Sequence, residues 1–218
     1  MFFTFCRHPH PGTVAYGVRP NGKSARAAGW GGAFLDGGSG YDIGQRALAA
    51  TARAVDGRGP PTALLQAICS ACGVGSNNDA MEGLLRFAYP AGSSSGGDGA
   101  WARVGALAAC VVEAAAAGDA VANSILDDAA AELVGSLEAV CRQLDLGSSA
   151  AGGTGSSQTS PITVVLAGGL LQPGSAMNER VAGLCAQRLS HCQIVHAGID
   201  PAIGAANLAR QWLQVGSL

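Results

Sequence analysis

The chain has 218 residues, of which 48% are hydrophobic and 13% charged, with a formal net charge of −2. That length and apolar content are enough for a buried core and exclude a wholly disordered chain. Sparse charge, with no stripe of Lys or Arg to neutralise a phosphate backbone, excludes nucleic acid as a partner.

Met1-Phe-Phe-Thr-Phe-Cys6 is apolar but too short for the core of a secretory leader, and it runs into Arg7-His-Pro-His-Pro11. The isolated His8 and His10 are not expected to hold a metal. The most apolar helical stretch, residues 104–117, is interrupted by Glu113 and falls short of the roughly 20 residues a bilayer crossing takes. A soluble cytoplasmic protein without a membrane partner is expected. Seven cysteines are scattered through apolar stretches, which suits a reducing compartment. Cys69-Ser-Ala-Cys72 is a lone CxxC, read as helix cysteines because a zinc site needs a second ligand pair.

Residues 13–18 alternate apolar and polar, and Pro20-Asn21-Gly22 is a turn signal before residues 23–28, so a β-hairpin is expected. Asn21-Gly-Lys-Ser24 is set aside as a phosphate loop because its context is that hairpin. Residues 29–40 form a glycine-rich loop shaped around something. Helices are expected over 41–55, stopped by Asp56-Gly-Arg-Gly-Pro-Pro61; from Thr62 as cap through Cys72; and over 79–87. Residues 91–99 read as a low-complexity linker. Two alanine-rich helices follow, over 101–117 and 119–144, with Asp119 as an N-cap. Residues 147–160 are a second Gly/Ser linker. Residues 161–167 make a buried strand ended by Gly168-Gly169, a helix begins near Ala176, and a strand over 193–196 and a helix over 201–213 close the chain. No G-x-G-x-x-G stands between a strand and a helix, which disfavours a nicotinamide enzyme.

Three glycine turns stand out: Gly12-Thr13 before the hairpin, residues 29–40, and Gly168-Gly169 after a buried strand. Backbone N–H groups at such turns approach anions and rings closely, and a strand entering a glycine turn and then a helix is a ligand-binding arrangement in open α/β sheets. In order, the runs from Gly12 to Gly31, Leu35-Asp-Gly-Gly-Ser-Gly-Tyr-Asp-Ile-Gly44, Asp56 to Pro61, Glu113-Ala-Ala-Ala-Ala-Gly-Asp119, Val164-Val-Leu-Ala-Gly-Gly-Leu-Leu171 and Pro201-Ala-Ile-Gly-Ala-Ala206 resemble the N-acetylglucosamine kinase and BadF/BadG-type ATPase family. The resemblance covers residues 12–218 outside the two linkers and leaves 1–11 as a segment foreign to the family.

It implies a ribonuclease-H-like α/β domain of the actin/hexokinase type with added helices, of which this chain corresponds to the C-terminal half. The implied activity is ATP-dependent phosphorylation, with Mg²⁺, of the 6-hydroxyl of N-acetylglucosamine or a related hexosamine. By the same resemblance Gly12 and Thr13 stand at the second phosphate loop, where Pro11 replaces a Thr and offers no N–H. Gly168 and Gly169 stand at the adenosine motif, and Gly105, placed at the start of a helix, at a further nucleotide contact. Gly29, Trp30 and Asp36 stand at the hexosamine contact, with Gly37 where the family more often has Glu. No residue is assigned as catalytic base or metal ligand, because the family carries its first phosphate loop and its base in the N-terminal half. Chains of this type that bind sugar or nucleotide without turnover, or that activate other enzymes as ATPases with a cluster held by cysteines of a homodimer, are the alternatives; Cys69 and Cys72 bear on the last.

Overall fold

The computed structural model describes residues 2–3, 12–34, 36–75, 79–90, 98–146, 162–189 and 191–196. Both linkers fall outside these residues except positions 98 and 99, and so do His8, His10 and the helix expected over 201–213.

The hairpin forms as its turn chemistry dictates, from β2 (Val14–Val18) and β3 (Ser24–Ala28). The Arg19 amide donates to the Lys23 carbonyl at 2.8 Å, the Lys23 amide to Asn21 Oδ1 at 3.0 Å, and Gly22 takes φ +83°. Residues 17–24 do have the glycine and lysine spacing of a nucleotide phosphate loop. Their backbone, however, is paired as a hairpin with no helix after it, so its amides are used within the sheet.

Three more strands complete the sheet: β1 (Phe2–Phe3), β4 (Ile162–Leu166) and β5 (Cys192–His196), in the order β3-β2-β1-β4-β5. β1 is antiparallel to β2 and parallel to β4, and β4 is parallel to β5. Phe2 and Phe3, in the segment read as foreign to the family, occupy the middle of the sheet. This mixed order is the ribonuclease-H-like arrangement expected from the sequence. Its consequence for function is geometric: the ends of β1, β3, β4 and β5 and the beginning of β2 all lie along one edge.

Seven helices stand among the described residues: α1 (Gly40–Val55), α2 (Leu64–Cys72), α3 (Ala80–Ala88), α4 (Asp98–Ala106), α5 (Ala108–Ala116), α6 (Ala120–Gln143) and α7 (Ala176–Arg188). The core runs along α6, whose Ala122, Ile125, Leu126, Ala129, Ala130, Leu133, Val134, Leu137 and Val140 are all buried. Their spacing makes two apolar stripes, one against the hairpin and the other against α1 and α5. The alanines keep these approaches close. Arg180 of α7 reaches α6 through Asp127 Oδ1 at 2.7 Å and Asn123 Oδ1 at 2.5 Å, which ties the helix after β4 to the same core.

Three local expectations are corrected. The helix expected from Trp101 begins at Asp98, inside the presumed linker, and breaks at Leu107, whose amide bonds the Val104 carbonyl three residues back at 3.1 Å. The stretch Gly99–Ala116 is 18 residues of mean hydropathy 1.3, long and apolar enough to cross a membrane by composition; in the structure it is α4 and α5, with Val104, Leu107, Cys110, Val111 and Ala114 in the core. Thr62 is not the sole cap of α2. Its hydroxyl donates to Asp119 Oδ2 at 2.9 Å, the Ala63 amide donates to the same oxygen at 2.6 Å, and Asp119 Oδ1 accepts from the Ala122 amide at 2.8 Å.

One carboxylate therefore serves the starts of two helices. Desolvation opposes the charge on Asp119, but the amides of Ala122 and Ala63 and the Thr62 hydroxyl outweigh it and hold the carboxyl below the usual carboxylate range. Asp119→Ala should lower the unfolding free energy at pH 7 by about 1–2 kcal/mol, the usual size of an N-cap loss, as read by urea denaturation. Since the folded-state pKa is the lower one, this contribution is complete above about pH 4, the unfolded value, and is lost as pH falls through the folded value. The two proteins should therefore converge in stability on acidification.

Candidate functional site at the sheet edge

Gly12 and Thr13 precede β2, Gly29 and Trp30 follow β3, and Gly168 and Gly169 follow β4, so the topology brings these residues to the same edge. Open α/β sheets bind ligands in the crevice outside such strand ends.

The sharpest geometry is in residues 28–36. The chain leaves β3 in the left-handed region at Ala28 (φ +59°) and Gly29 (φ +77°) and returns to it at Gly31 (φ +94°). Ala28 holds that conformation at a cost of about 1 kcal/mol or more. The turn aims successive amides inward: Trp30 N–H donates to Asp36 Oδ1 at 2.9 Å, and Gly31 N–H to Asp36 Oδ2 at 3.1 Å. Asp36 is 4% exposed, so it is a buried carboxylate held by backbone donors. The resemblance puts Asp36 at the hexosamine contact; in the structure each of its oxygens already accepts an amide. A Cβ on Gly12 would stand 2.9 Å from Asp36 Oδ2, so a side chain there would press the carboxylate away from its present place on the Gly31 amide.

The far end of this loop is fixed as firmly. Thr13, 2% exposed, donates its hydroxyl proton to the Gly37 carbonyl at 3.1 Å. Ser39 caps α1 by accepting the Asp42 amide at 3.1 Å, and the buried Asp42 carboxylate accepts the Gly38 amide at 2.8 Å and Arg46 Nε at 2.8 Å. Ser39-x-x-Asp42 is a capping-box spacing that sequence analysis could have found. Gly38, at φ +76°, passes against α6, where a side chain would run into the Ala129 carbonyl and Leu133.

Trp30 stands 68% exposed with the Arg26 guanidinium 4.4 Å above its ring, an arrangement that stabilises by about 0.5–1 kcal/mol at exposed sites. Phe34 is also exposed. A second tryptophan, which sequence reasoning passed over, backs this loop: Trp101 of α4 stacks on Tyr41 with ring centroids 4.7 Å apart and planes at 19°. Burial first, then the neighbouring Tyr89, push the Tyr41 hydroxyl above its ordinary pKa, against the hydrogen bond with Gln45.

On the β4 side Gly168 takes φ +133°, where side chains are strained, and a Cβ on Gly169 would meet open space. Ser175 Oγ donates to the Leu170 carbonyl at 2.7 Å and accepts the Asn178 amide at 3.2 Å, fixing this turn to the start of α7. Gly105 is corrected: it lies in the last turn of α4, not at a helix start, and its carbonyl would stand 3.1 Å from a Cβ on Gly40. Its place is the seam between α4 and α1.

Cys69 and Cys72 lie one turn apart on α2, Cys69 in the core, and burial pushes the Cys72 thiol up to about 11. No group of three metal-ligating side chains occurs among the described residues. A cavity of about 440 Å³ lined by Arg46, Ala50, Arg53, Arg58, Val121 and Asp128 lies along α1 toward its far end, apart from the glycine turns.

Asp36→Asn replaces one acceptor oxygen with a donor facing a donor. It should cost about 1–3 kcal/mol of stability in thermal or urea unfolding, and amide exchange at Trp30 and Gly31 should accelerate. Unchanged exchange at both would show that the carboxylate does not hold the loop.

Comparison with known proteins identifies the family. Residues 11–209 match the BadF/BadG/BcrA/BcrD ATPase family. The chain is 30% identical over 199 residues to the N-acetylmuramic acid/N-acetylglucosamine kinase of Clostridium acetobutylicum, covering 91% of this chain and 58% of that one. It is 28% identical over 198 residues to the N-acetyl-D-glucosamine kinase of Dictyostelium discoideum, covering 91% and 56%. A crystal structure of a Chromobacterium violaceum protein, provisionally named an N-acetylglucosamine kinase, superposes with a TM-score of 0.61 at 26% identity, over 94% of this chain and 57% of that one. The chain thus spans less than two thirds of the length of each of these relatives. With the sheet order, the glycine turns and this match in agreement, the chain belongs to the BadF/BadG/BcrA/BcrD ATPase family.

Proposed function

We propose that this chain supplies substrate-binding loops of an ATP-dependent N-acetylglucosamine kinase, which phosphorylates the 6-hydroxyl of the sugar. The observation that supports it is the gathering of Gly12, Thr13, Gly29, Trp30, Gly168 and Gly169 at one sheet edge in a family member whose relatives carry that name.

ATP, when bound, supplies the phosphoryl group for transfer, with Mg²⁺ brought by its phosphates, since that ion keeps few protein ligands in such sites. The residues fit the nucleotide in part: the Gly168-Gly169 turn, with open space at Gly169, would take a purine and ribose against its backbone, whereas the Thr13 hydroxyl is buried on the Gly37 carbonyl, so at Gly12 and Thr13 only the backbone would be left for the phosphates. Trp30 offers an apolar ring face to the hexosamine. Asp36, buried behind it, fixes the Trp30 and Gly31 amides and so acts on the sugar through that loop. No residue of this chain is assigned as the base on the attacking hydroxyl. ATP and a free hexosamine meet in the cytoplasm, which is where this activity belongs, in a single chain or a homodimer.

The test is a coupled ADP-release assay with N-acetylglucosamine, on this chain and on the chain extended by its upstream coding sequence. The extended protein should turn over. Trp30→Ala in it should raise the sugar KM about tenfold, equivalent to roughly 1.4 kcal/mol, and leave the ATP KM unchanged. Binding of both ligands without turnover in either form would leave a catalytically inactive sugar- or nucleotide-binding module; no binding of either ligand in either form would overturn the reading.

A further inference from the structure

We propose that Trp101 is a positioning residue for the Trp30 loop, so that α4, outside the glycine turns, sets where the proposed sugar contact stands. The part concerning sugar rests on the function proposed above; the part concerning the loop does not.

Residues 29–38 are pinned at two ends, by Asp36 on the Trp30 and Gly31 amides and by Thr13 and Asp42 on Gly37 and Gly38. Among the described residues of the middle, the hydrogen bond is a local one, from the Phe34 amide to the Gly31 carbonyl at 3.0 Å. Gly31, Ala33 and Phe34 are exposed there, yet Gly32 between them is buried. What covers Gly32 is the Trp101 ring: a Cβ on Gly32 would fall within it, against Cζ3, Cε3 and Cη2. Glycine at position 32 is thus explained by a ring from another element, with no call on a left-handed backbone.

The ring is itself held. It also stacks on Tyr41 in the first turn of α1, and the Tyr41 hydroxyl accepts from Gln45 Nε2 at 2.7 Å. α4 lies close along α1, because Gly40 meets the Gly105 carbonyl and Gly44 the Val104 carbonyl without side chains between. Packed helices of this kind are not continuously deformable. A displacement of α4 is therefore carried through Trp101 to Gly32, and from there to Trp30, two residues away.

Trp101→Ala and Trp101→Phe are compared in the upstream-extended protein, with Gly32→Ala as a variant that presses on the ring instead of removing it. Trp101→Ala should speed amide exchange at Trp30 and Gly31 and weaken N-acetylglucosamine binding about tenfold, since a shift near 1 Å from a productive geometry costs one to two orders of magnitude. ATP affinity should stay unchanged, and Trp101→Phe should restore part of the loss. Gly32→Ala should weaken sugar binding when Trp101 is present and much less in combination with Trp101→Ala; this comparison also decides the matter if Trp101→Ala alone folds poorly. Lower melting temperature with sugar affinity and loop exchange unchanged would overturn the proposal. If no variant binds sugar but Trp101→Ala still loosens the Trp30 and Gly31 amides, positioning of the loop stands and the sugar reading falls.

Discussion

The Asp36 carboxylate, buried at the edge of the sheet, accepts the amides of Trp30 and Gly31, and the surrounding loops are arranged around that charge. A carboxylate removed from water must be met by donors, and backbone amides serve only if the chain turns left-handed to aim them. Ala28 and Gly29 make that turn. Gly12, without a side chain, lets the same oxygen pass unshifted, where the start of β2 lies against the end of β3. The stretch from Gly12 to Ser39 behaves as one unit for this reason, although each glycine turn by itself would be ordinary.

Behind this unit stands a packed wall of helices that belongs to no motif. α6 buries two apolar stripes, and Gly37 and Gly38 pass against it at Glu132, Ala129 and Leu133. α1 is braced at its start by Ser39, Asp42 and Arg46, and α4 lies on α1 along a glycine seam. The inserted helices thus hold the loop from below and from one side, while Trp30 and Phe34 remain in solvent. Rigid support beneath exposed aromatic rings suits a binding surface, because little conformational entropy is left to lose on contact.

The parts of the fold legible in the sequence are those decided within about four residues of chain. Asn21-Gly22 sets the hairpin, Ser175 and Asp119 cap their helices, Gly73 ends α2 in the left-handed region, and the apolar run of β4 stops at Gly168. Side-chain caps, turn residues and periodicity act locally, so their signals survive without the tertiary structure. The glycine turns of the candidate site were visible for the same reason, and their order pointed to the family.

By itself, then, the sequence determined the alternation of strands and helices, the hairpin, the caps and the residues that gather at the sheet edge. Only the tertiary structure decided what those residues do to one another. It put the two residues of β1, too short for any period, in the middle of the sheet, and it gave Asp36 backbone amides as partners. It also moved Gly105 to a helix seam, let Asp119 serve two helices and laid Trp101 over Gly32. Each of these joins segments far apart in the chain, where no local preference fixes the approach; the distance of closest contact is set by how the whole core packs.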